Sequence, residues 1–248
     1  MKKMLNLPDD FKPLDLLAIA AHPDDVEQTC GGTLIRMAEM GYRTGILDMT
    51  AGEMGTRGTP ALRIEESREA GRRMLAAWRG NMRFPDARLE NVLAARMTLV
   101  GELRQLRPRV VILPYWEARH PDHYNAGLLA YESCFLAGLA KLDEGASVPH
   151  RPFKVIYSSL YANVTPSFVV DITAQFERRM AALFAYESQY GDQDQGSGLF
   201  PAREEIRERL AAIARFYGNL IGVKYGEPFA VKETLRVDDV VSMGVRSF

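Results

Sequence analysis

Three of the four histidines in the chain fall in two short charged clusters. The first, His22-Pro23-Asp24-Asp25, directly follows the apolar run 14–20. The second, His120-Pro121-Asp122-His123, comes shortly after the apolar stretch that ends at Pro114. Two histidines and a carboxylate are a familiar ligand set for zinc or iron, with one position left for water or substrate. His22 and Asp25 stand three apart, so a strand-to-helix turn lets both face one point, and His123 can supply the third ligand. Asp24 then offers a free carboxylate beside the site, and His120 an imidazole on its opposite side. Such a constellation could hydrolyse an amide or ester: the metal polarises the carbonyl and acidifies water, the carboxylate takes a proton, and the histidine steadies the oxyanion. Either cluster alone could instead cap its helix, with the aspartates complementing the helix dipole. As a pair, both at strand ends and using nearly all the histidine, they exceed what capping needs.

The surrounding sequence supplies the elements to position these groups. Runs 14–20, 42–50 and 109–114 read as strands. Helical patterns follow over 26–41, over 60–78 after an N-cap at Thr59 with Pro60 behind it, over 90–106 and over 123–142. Strand–helix alternation with apolar strands predicts an α/β, Rossmann-like fold, a mostly parallel sheet with helices on both faces. In such sheets ligands bind beyond the carboxyl ends of the strands, where both clusters lie. The second half is less regular: strands over 153–160 and 167–173, helices over 174–190 and 202–222, a polar loop over 191–198, and a late edge strand within 227–239 followed by a docked tail. No repeat or linker interrupts the 248 residues, which are expected to form a single domain over 1–248.

Composition narrows the partners. With 31 basic against 32 acidic residues the formal net charge is −1, which provides neither a nucleic-acid footprint nor a polybasic membrane patch. No segment approaches the ~20 apolar residues of a membrane span, and the N-terminus has no apolar stretch of signal-peptide length. A cytoplasmic protein is expected, with Cys30 and Cys134 as reduced, buried thiols. The glycine-rich loop 51–59 is not G-x-G-x-x-G. The loop that does follow the first strand carries two aspartates that would repel a pyrophosphate, so a nicotinamide enzyme is disfavoured. No G-x-S-x-G elbow supports a serine hydrolase. His150 reads as a solvated surface residue, while Glu53 and Arg57 are secondary candidates for lining a pocket, and Trp116 serves either a sugar-stacking wall or the core.

The segments AHPDDVE…GGT, TAGEMGTRGT…LRIEE and HPDH, in this order, resemble the PIG-L/LmbE-like family of zinc-dependent N-acetylglucosamine deacetylases. PSFVVDIT and AYESQY downstream are similar to its bacillithiol-biosynthesis branch. The resemblance, running from about residue 14 to 225, implies a Rossmann-like core. It implies zinc, or another divalent metal such as Fe2+, on His22, Asp25 and His123, with Asp24 as general base and then acid. It further implies His120 as the oxyanion-stabilising imidazole, Asp122 as the residue that orients His120, and Arg63 as a substrate-binding residue. The substrate it implies is an amino-sugar conjugate, first of all N-acetylglucosaminyl-malate, and the expected assembly is a homo-oligomer. From residue types alone Arg63 has no preference over its neighbours Arg57, Arg68, Arg72 and Arg73. An amidase of a thiol-sugar conjugate and a metal-binding module without turnover are the rival readings.

Overall fold

The computed structural model describes residues 5, 7–8, 10–142, 147–159, 164–191, 201–242 and 244–245. At its centre lies β1 (Leu16–Ala20), whose alternate side chains enter two different cores. Leu17 and Ile19 pack into one cluster with β2 (Thr44–Thr50) residues Leu47 and Met49. The same cluster takes Leu99 and Leu103 of α4 (Leu93–Leu106) and Leu129 of α5 (Pro121–Ala137). Leu16, Ala18 and Ala20 face the opposite cluster with Ile46, Leu34 and Ile35. A strand buried on both faces has no polar side to spare, which is why it reads as an unbroken apolar run.

Five parallel strands line up in the order β3-β2-β1-β4-β5, with β3 at Trp78–Phe84, β4 at Val110–Pro114 and β5 at Lys154–Ser158. The order reverses direction between β1 and β4. Loops leaving those two neighbours at their carboxyl ends therefore diverge and open a crevice between them. His22 and Asp24 sit in one loop; His120 ends the other. The expected Rossmann-like, mostly parallel α/β fold with helices on both faces is the fold observed.

Several boundaries differ from the sequence reading, each for a local reason. The helix expected over 26–41 is two helices, α1 (Asp25–Thr29) and α2 (Gly31–Glu39), broken at Cys30, whose backbone (φ −144°, ψ 14°) is not helical. The break exposes the amides of Gly32 and Thr33 at the start of α2. The Glu227 carboxylate accepts from both, at 2.8 and 2.6 Å, an anion placed at a helix N-terminus. The helix α3 ends at Arg73 (Pro60–Arg73), because Leu75 turns the chain with a positive φ of 60°, and residues 78–84 form the edge strand β3, absent from the sequence reading, with Trp78, Met82 and Phe84 on the core. α5 begins at Pro121 with His120 as its N-cap, two residues before the expected start. The expected helix 174–190 divides into α6 (Phe176–Leu183) and α7 (Glu187–Tyr190), before α8 (Arg203–Asn219). The late strand is β7 (Gly226–Phe229), paired antiparallel with β6 (Phe168–Asp171) in a separate two-stranded sheet. The segment expected as a docked tail is exposed over 232–242, and most of the 191–198 loop lies outside the described residues. Among the described residues no helix is long and apolar enough to cross a membrane.

Beneath the crevice a buried ion cluster ties these elements together. Arg79 of β3 grips Asp48 of β2 with two hydrogen bonds of 3.0 and 2.9 Å and reaches Glu27 of α1 at 2.5 Å. Tyr186, fully buried just before α7, donates to the same Glu27 oxygen at 3.1 Å. Removing one partner of a buried ion pair leaves an uncompensated charge, at a cost of about 3–5 kcal/mol. Arg79→Met, which leaves Glu27 and Asp48 without their cation, should lower unfolding stability by about that amount. Urea unfolding followed by circular dichroism reads it, and a loss below about 1 kcal/mol would mean the two carboxylates find other compensation.

Candidate metal centre and active site

Side chains from the two diverging loops meet at one point. His22 Nδ1 lies 3.2 Å from His123 Nε2 and 3.5 Å from Asp25 Oδ2, and His123 Nε2 lies 3.3 Å from the same oxygen. A tetrahedral centre with bonds of about 2.0–2.1 Å has ligand–ligand edges of about 3.3 Å. Three donor atoms already sit on such a triangle, so the residues fit a zinc-like ion.

The tautomer of His22 agrees. Its Nε2 lies 2.9 Å from Asp86 Oδ1 and 3.5 Å from Asp122 Oδ2. A carboxylate can only accept, so Nε2 carries the hydrogen and Nδ1 turns a lone pair toward His123 and Asp25. This is the carboxylate–histidine arrangement that orients metal ligands in proteins. Burial disfavours a charge on His22, but its hydrogen bonds to Asp122, Asp25 and Asp86 outweigh burial and push the imidazole up to about 12, so a cation binding in the triangle has to displace a proton from Nδ1 to use that lone pair. Asp25 and Asp86 are held below the usual carboxylate range: burial opposes this, and His123 and His22 for Asp25, and His22 with backbone amides for Asp86, prevail.

Asp24 stands apart from this triangle. As the residue before α1 it makes no capping bond, so the helix-cap reading does not account for it. Its φ of 98° is a left-handed conformation uncommon outside glycine, a strain of roughly 1–3 kcal/mol that the surroundings must hold in place. They do so from two sides. Tyr190 donates to Asp24 Oδ2 at 2.8 Å, and the Arg63 guanidinium lies 3.6 Å from Oδ1. Burial pushes the Asp24 carboxyl up to about 7, with the Asp25 charge adding to it and Arg63 and Tyr190 pulling against it. A carboxyl poised there can both take and return a proton near neutral pH.

Arg63 is not one more solvated arginine. It is buried and donates to the carbonyls of Pro23 at 2.6 Å and Gly52 at 3.4 Å, while its Nε has no partner. A Cβ on Gly52 would lie 1.9 Å from the guanidinium, so glycine is required there for Arg63 to reach the loop. The glycine-rich segment serves a side chain rather than a phosphate.

His120 is exposed at the mouth of the crevice, its ring 5.0 Å from His22 and stacked at 5.2 Å on His123. The bond between Asp122 and His120 runs from the Asp122 amide to Nδ1 at 3.1 Å. An amide can only donate, so Nδ1 accepts and the neutral ring carries its hydrogen on Nε2. Burial and the neighbouring histidines lower the His120 pKa, which favours that neutral donor. The Asp122 carboxylate is turned elsewhere: it accepts from the amides of Ala87 at 2.7 Å and Leu89 at 3.3 Å and faces His22 Nε2. Asp122 thus contacts His120, which the resemblance implied it orients, through its backbone amide.

Two participants lie outside the candidate site residues of the sequence reading, Asp86 and Tyr190, the latter present only as the last residue of AYESQY. Asp86 is anchored by the Met54 amide at 2.8 Å, and its own amide donates to Glu53, one of the secondary pocket candidates, at 2.8 Å. Tyr190 arrives from α7, which is latched to the rest of the site. Ser188 donates twice to Glu66, at 2.7 and 2.6 Å, and Gln189 exchanges bonds with Arg57 at 2.8 and 3.2 Å. A lone aspartate and a lone tyrosine have no spacing pattern. Only the closeness of Pro85-Asp86 to a strand end offers a hint. Trp116, among the candidate pocket walls, is partly exposed and packs on Tyr115 and Tyr157. His150, read as solvated, is half-buried and bonds the Pro108 carbonyl at 2.8 Å.

Residues 17–134 match the family model described as PIG-L, GlcNAc-PI de-N-acetylase. Over 223 residues the chain is 27% identical to the diacetylchitobiose deacetylase of Thermococcus kodakarensis, covering 86% of this chain and 80% of that one. The N,N'-diacetylchitobiose deacetylase from Pyrococcus horikoshii has a similar structure, with a TM-score of 0.76 and 29% identity over 87% of this chain and 82% of that one. The conserved protein TT1542 from Thermus thermophilus gives a TM-score of 0.82 at 42% identity, over 91% of this chain and 98% of that one. All three facing donors, Asp24, Arg63 and both residues of the His120–Asp122 pair fall inside the matched segment. Fold, site and sequence agree with the match of residues 17–134 to the PIG-L family.

Proposed function

We propose that the protein is a divalent-metal-dependent N-deacetylase of an N-acetylglucosamine conjugate, with N-acetylglucosaminyl-malate of bacillithiol biosynthesis as the first candidate. The observation that carries this reading is the separation of two neighbouring carboxylates. Asp25 joins the donor triangle with His22 and His123, while Asp24 is held outside it by Arg63 and Tyr190. A site that merely stored metal would have no use for a strained, separately held Asp24, which speaks against the module without turnover. The N-acetyl sugar class is supported by the names of the relatives, diacetylchitobiose deacetylases.

His22, Asp25 and His123 would hold the ion, which when bound supplies Lewis acidity toward a carbonyl and a water. Asp24 takes a proton from the attacking water as the water oxygen bonds to the acyl carbon. His120 Nε2–H donates to the carbonyl oxygen while negative charge develops there. Asp24 then returns the proton to the amide nitrogen, the C–N bond breaks, and acetate and a free amino sugar result. Asp122 and Asp86 keep the His22 ring in the tautomer that its ligand role needs. Arg63, whose guanidinium lies beside Asp24, is assigned to a sugar oxygen or the carboxylate of the conjugate as well as to Asp24.

The two aspartates should respond differently to loss of charge. Asp24→Asn is expected to keep its metal and lose about 10²–10⁴-fold in kcat, the worth of a positioned acid–base group. Asp25→Asn should lose metal, and excess zinc should recover part of its turnover. Metal content and amine release from N-acetylglucosamine conjugates measure both; near-normal turnover in Asp24→Asn would overturn the assignment. Tyr190→Phe removes one of the two holds on Asp24 and should lower kcat about 10-fold or more, the range for a hydrogen bond to a charged group, with metal content and KM unchanged. Arg63→Ala should reduce kcat on every substrate and raise KM further on those bearing a carboxylate. Equal KM values on neutral and anionic conjugates would leave Arg63 only its hold on Asp24.

A further inference from the structure

The segment that follows β7 is fixed at one place by a cation set among aromatic rings. Ala230 pairs with Tyr157 of β5 through two backbone bonds of 2.9 and 3.0 Å, and the Val231 amide donates to Ser167 Oγ at 3.0 Å. Lys232 comes next. Its ammonium lies over three rings, 4.1 Å from the centre of Tyr131, 5.3 Å from Tyr157 and 5.4 Å from Trp116. Glu233 then accepts from Lys154 of β5 at 2.6 Å. The rings form one group: Trp116 meets Tyr157 edge-on at 4.9 Å, and Tyr131 lies 6.4 Å from Tyr157. The Tyr157 hydroxyl is buried with no hydrogen-bond partner among the described residues, so what this residue offers its surroundings is the ring. A lysine within about 6 Å of an aromatic face is drawn to the negative face of its quadrupole, and here three faces act on one exposed side chain.

Two of the three rings come from the elements that carry the proposed chemistry. Trp116 lies in the loop that leaves β4 and ends at His120, and Tyr131 lies on α5, the helix that His120 caps and that bears His123. At the near end of the loop the Tyr115 amide donates to the Ser158 carbonyl at 2.8 Å, and the Tyr115 ring packs on Trp116 at 4.0 Å. At the far end His120 is exposed, yet it has to present Nε2–H at one point above the donor triangle. A donor gains its worth in the transition state only if it is already in place, so the path of this loop matters to the reaction. We infer that Lys232 is a positioning residue for His120. It ties Trp116 of the loop to Tyr131 of α5 and Tyr157 of β5, which fixes the loop against the helix and strand on either side of it. The inference rests on the deacetylase reading and deepens it, by giving the oxyanion donor a support from the last part of the chain. Trp116 then serves neither as a sugar wall nor as core but as the point where the loop is held.

The test changes the charge and keeps the stem. Lys232→Met fills much the same space without the cation, and Lys232→Arg restores a cation that aromatic faces accept. In metal-loaded protein assayed on N-acetylglucosamine conjugates, Lys232→Met should lower kcat about 3–30-fold, the range that a cation–π contact covers, with KM and metal content unchanged. Lys232→Arg should recover most of that loss. The same substitution is then made in a His120→Ala background, where no donor remains to be positioned, and there it should change kcat less than about twofold. Equal losses in both backgrounds, or a loss that arginine does not recover, would mean that Lys232 serves the fold and not His120. Amide hydrogen exchange of the peptide covering 115–120, read by mass spectrometry, needs no turnover: it should quicken in Lys232→Met and slow again in Lys232→Arg. Exchange that is the same in all three proteins overturns the inference whatever the kinetics. If wild type cleaves no N-acetylglucosamine conjugate, the deacetylase reading fails, and the exchange series alone decides whether Lys232 holds the loop.

Discussion

The crevice depends on gathering four carboxylates, Asp24, Asp25, Asp86 and Asp122, around a single imidazole. All four are buried, and their mutual repulsion in a poorly solvated place has to be offset by positive charge and by hydrogen-bond donors. His22 answers from the middle, touching three of them. The backbone does the rest: amides of His22, Met54, Ala87 and Leu89 donate to Asp25, Asp86 and Asp122. A concentration of negative charge that the fold balances with fixed dipoles, and leaves one triangle of lone pairs facing inward, is what a divalent cation needs.

Much of the remaining architecture can be understood as holding that arrangement still. The topological switch point brings the two histidine loops together, and Arg79 anchors the strands and α1 beneath them. The second half of the chain reaches back repeatedly. Glu227 covers the amide ends left by the break at Cys30, and Arg179 bonds the Glu27 and Gln28 carbonyls at the end of α1. The short helix α7 carries Tyr190 to Asp24. The strained backbone at Asp24 survives because Arg63 and Tyr190 fix its side chain while Arg63 also grips the preceding carbonyl of Pro23.

The parts that can be read from sequence are those with local signatures. HPDD and HPDH stand out because charge clusters at strand ends are hard to explain otherwise, and their side chains do converge. The central strands are visible as apolar runs because they are buried on both faces. β3 is harder to read: Trp78, Met82 and Phe84 do alternate onto the core, but Arg79 fills the other face with an ion pair to acids and Trp78 also continues the helical pattern before it. The break at Cys30 is hidden because the carboxylate that stabilises it lies 195 residues away. The roles of Asp86 and Tyr190 escape for the same reason: each depends on a contact across the fold, even though Tyr190 closes the AYESQY segment. Asp122 is placed beside His120 by its motif, but its second contact is not legible there, since its backbone amide serves His120 and its carboxylate faces His22.

The latch formed by α7 has a consequence for the order in which the protein becomes competent. During synthesis the three facing donors, and the loop that carries Asp24, emerge from the ribosome well before Tyr190 does. A chain released or cleaved before α7 would retain the donor triangle's residues yet lack one of the two holds on its strained aspartate. The residues that face one another across the crevice and the tyrosine that holds the strained aspartate are therefore made at separate moments.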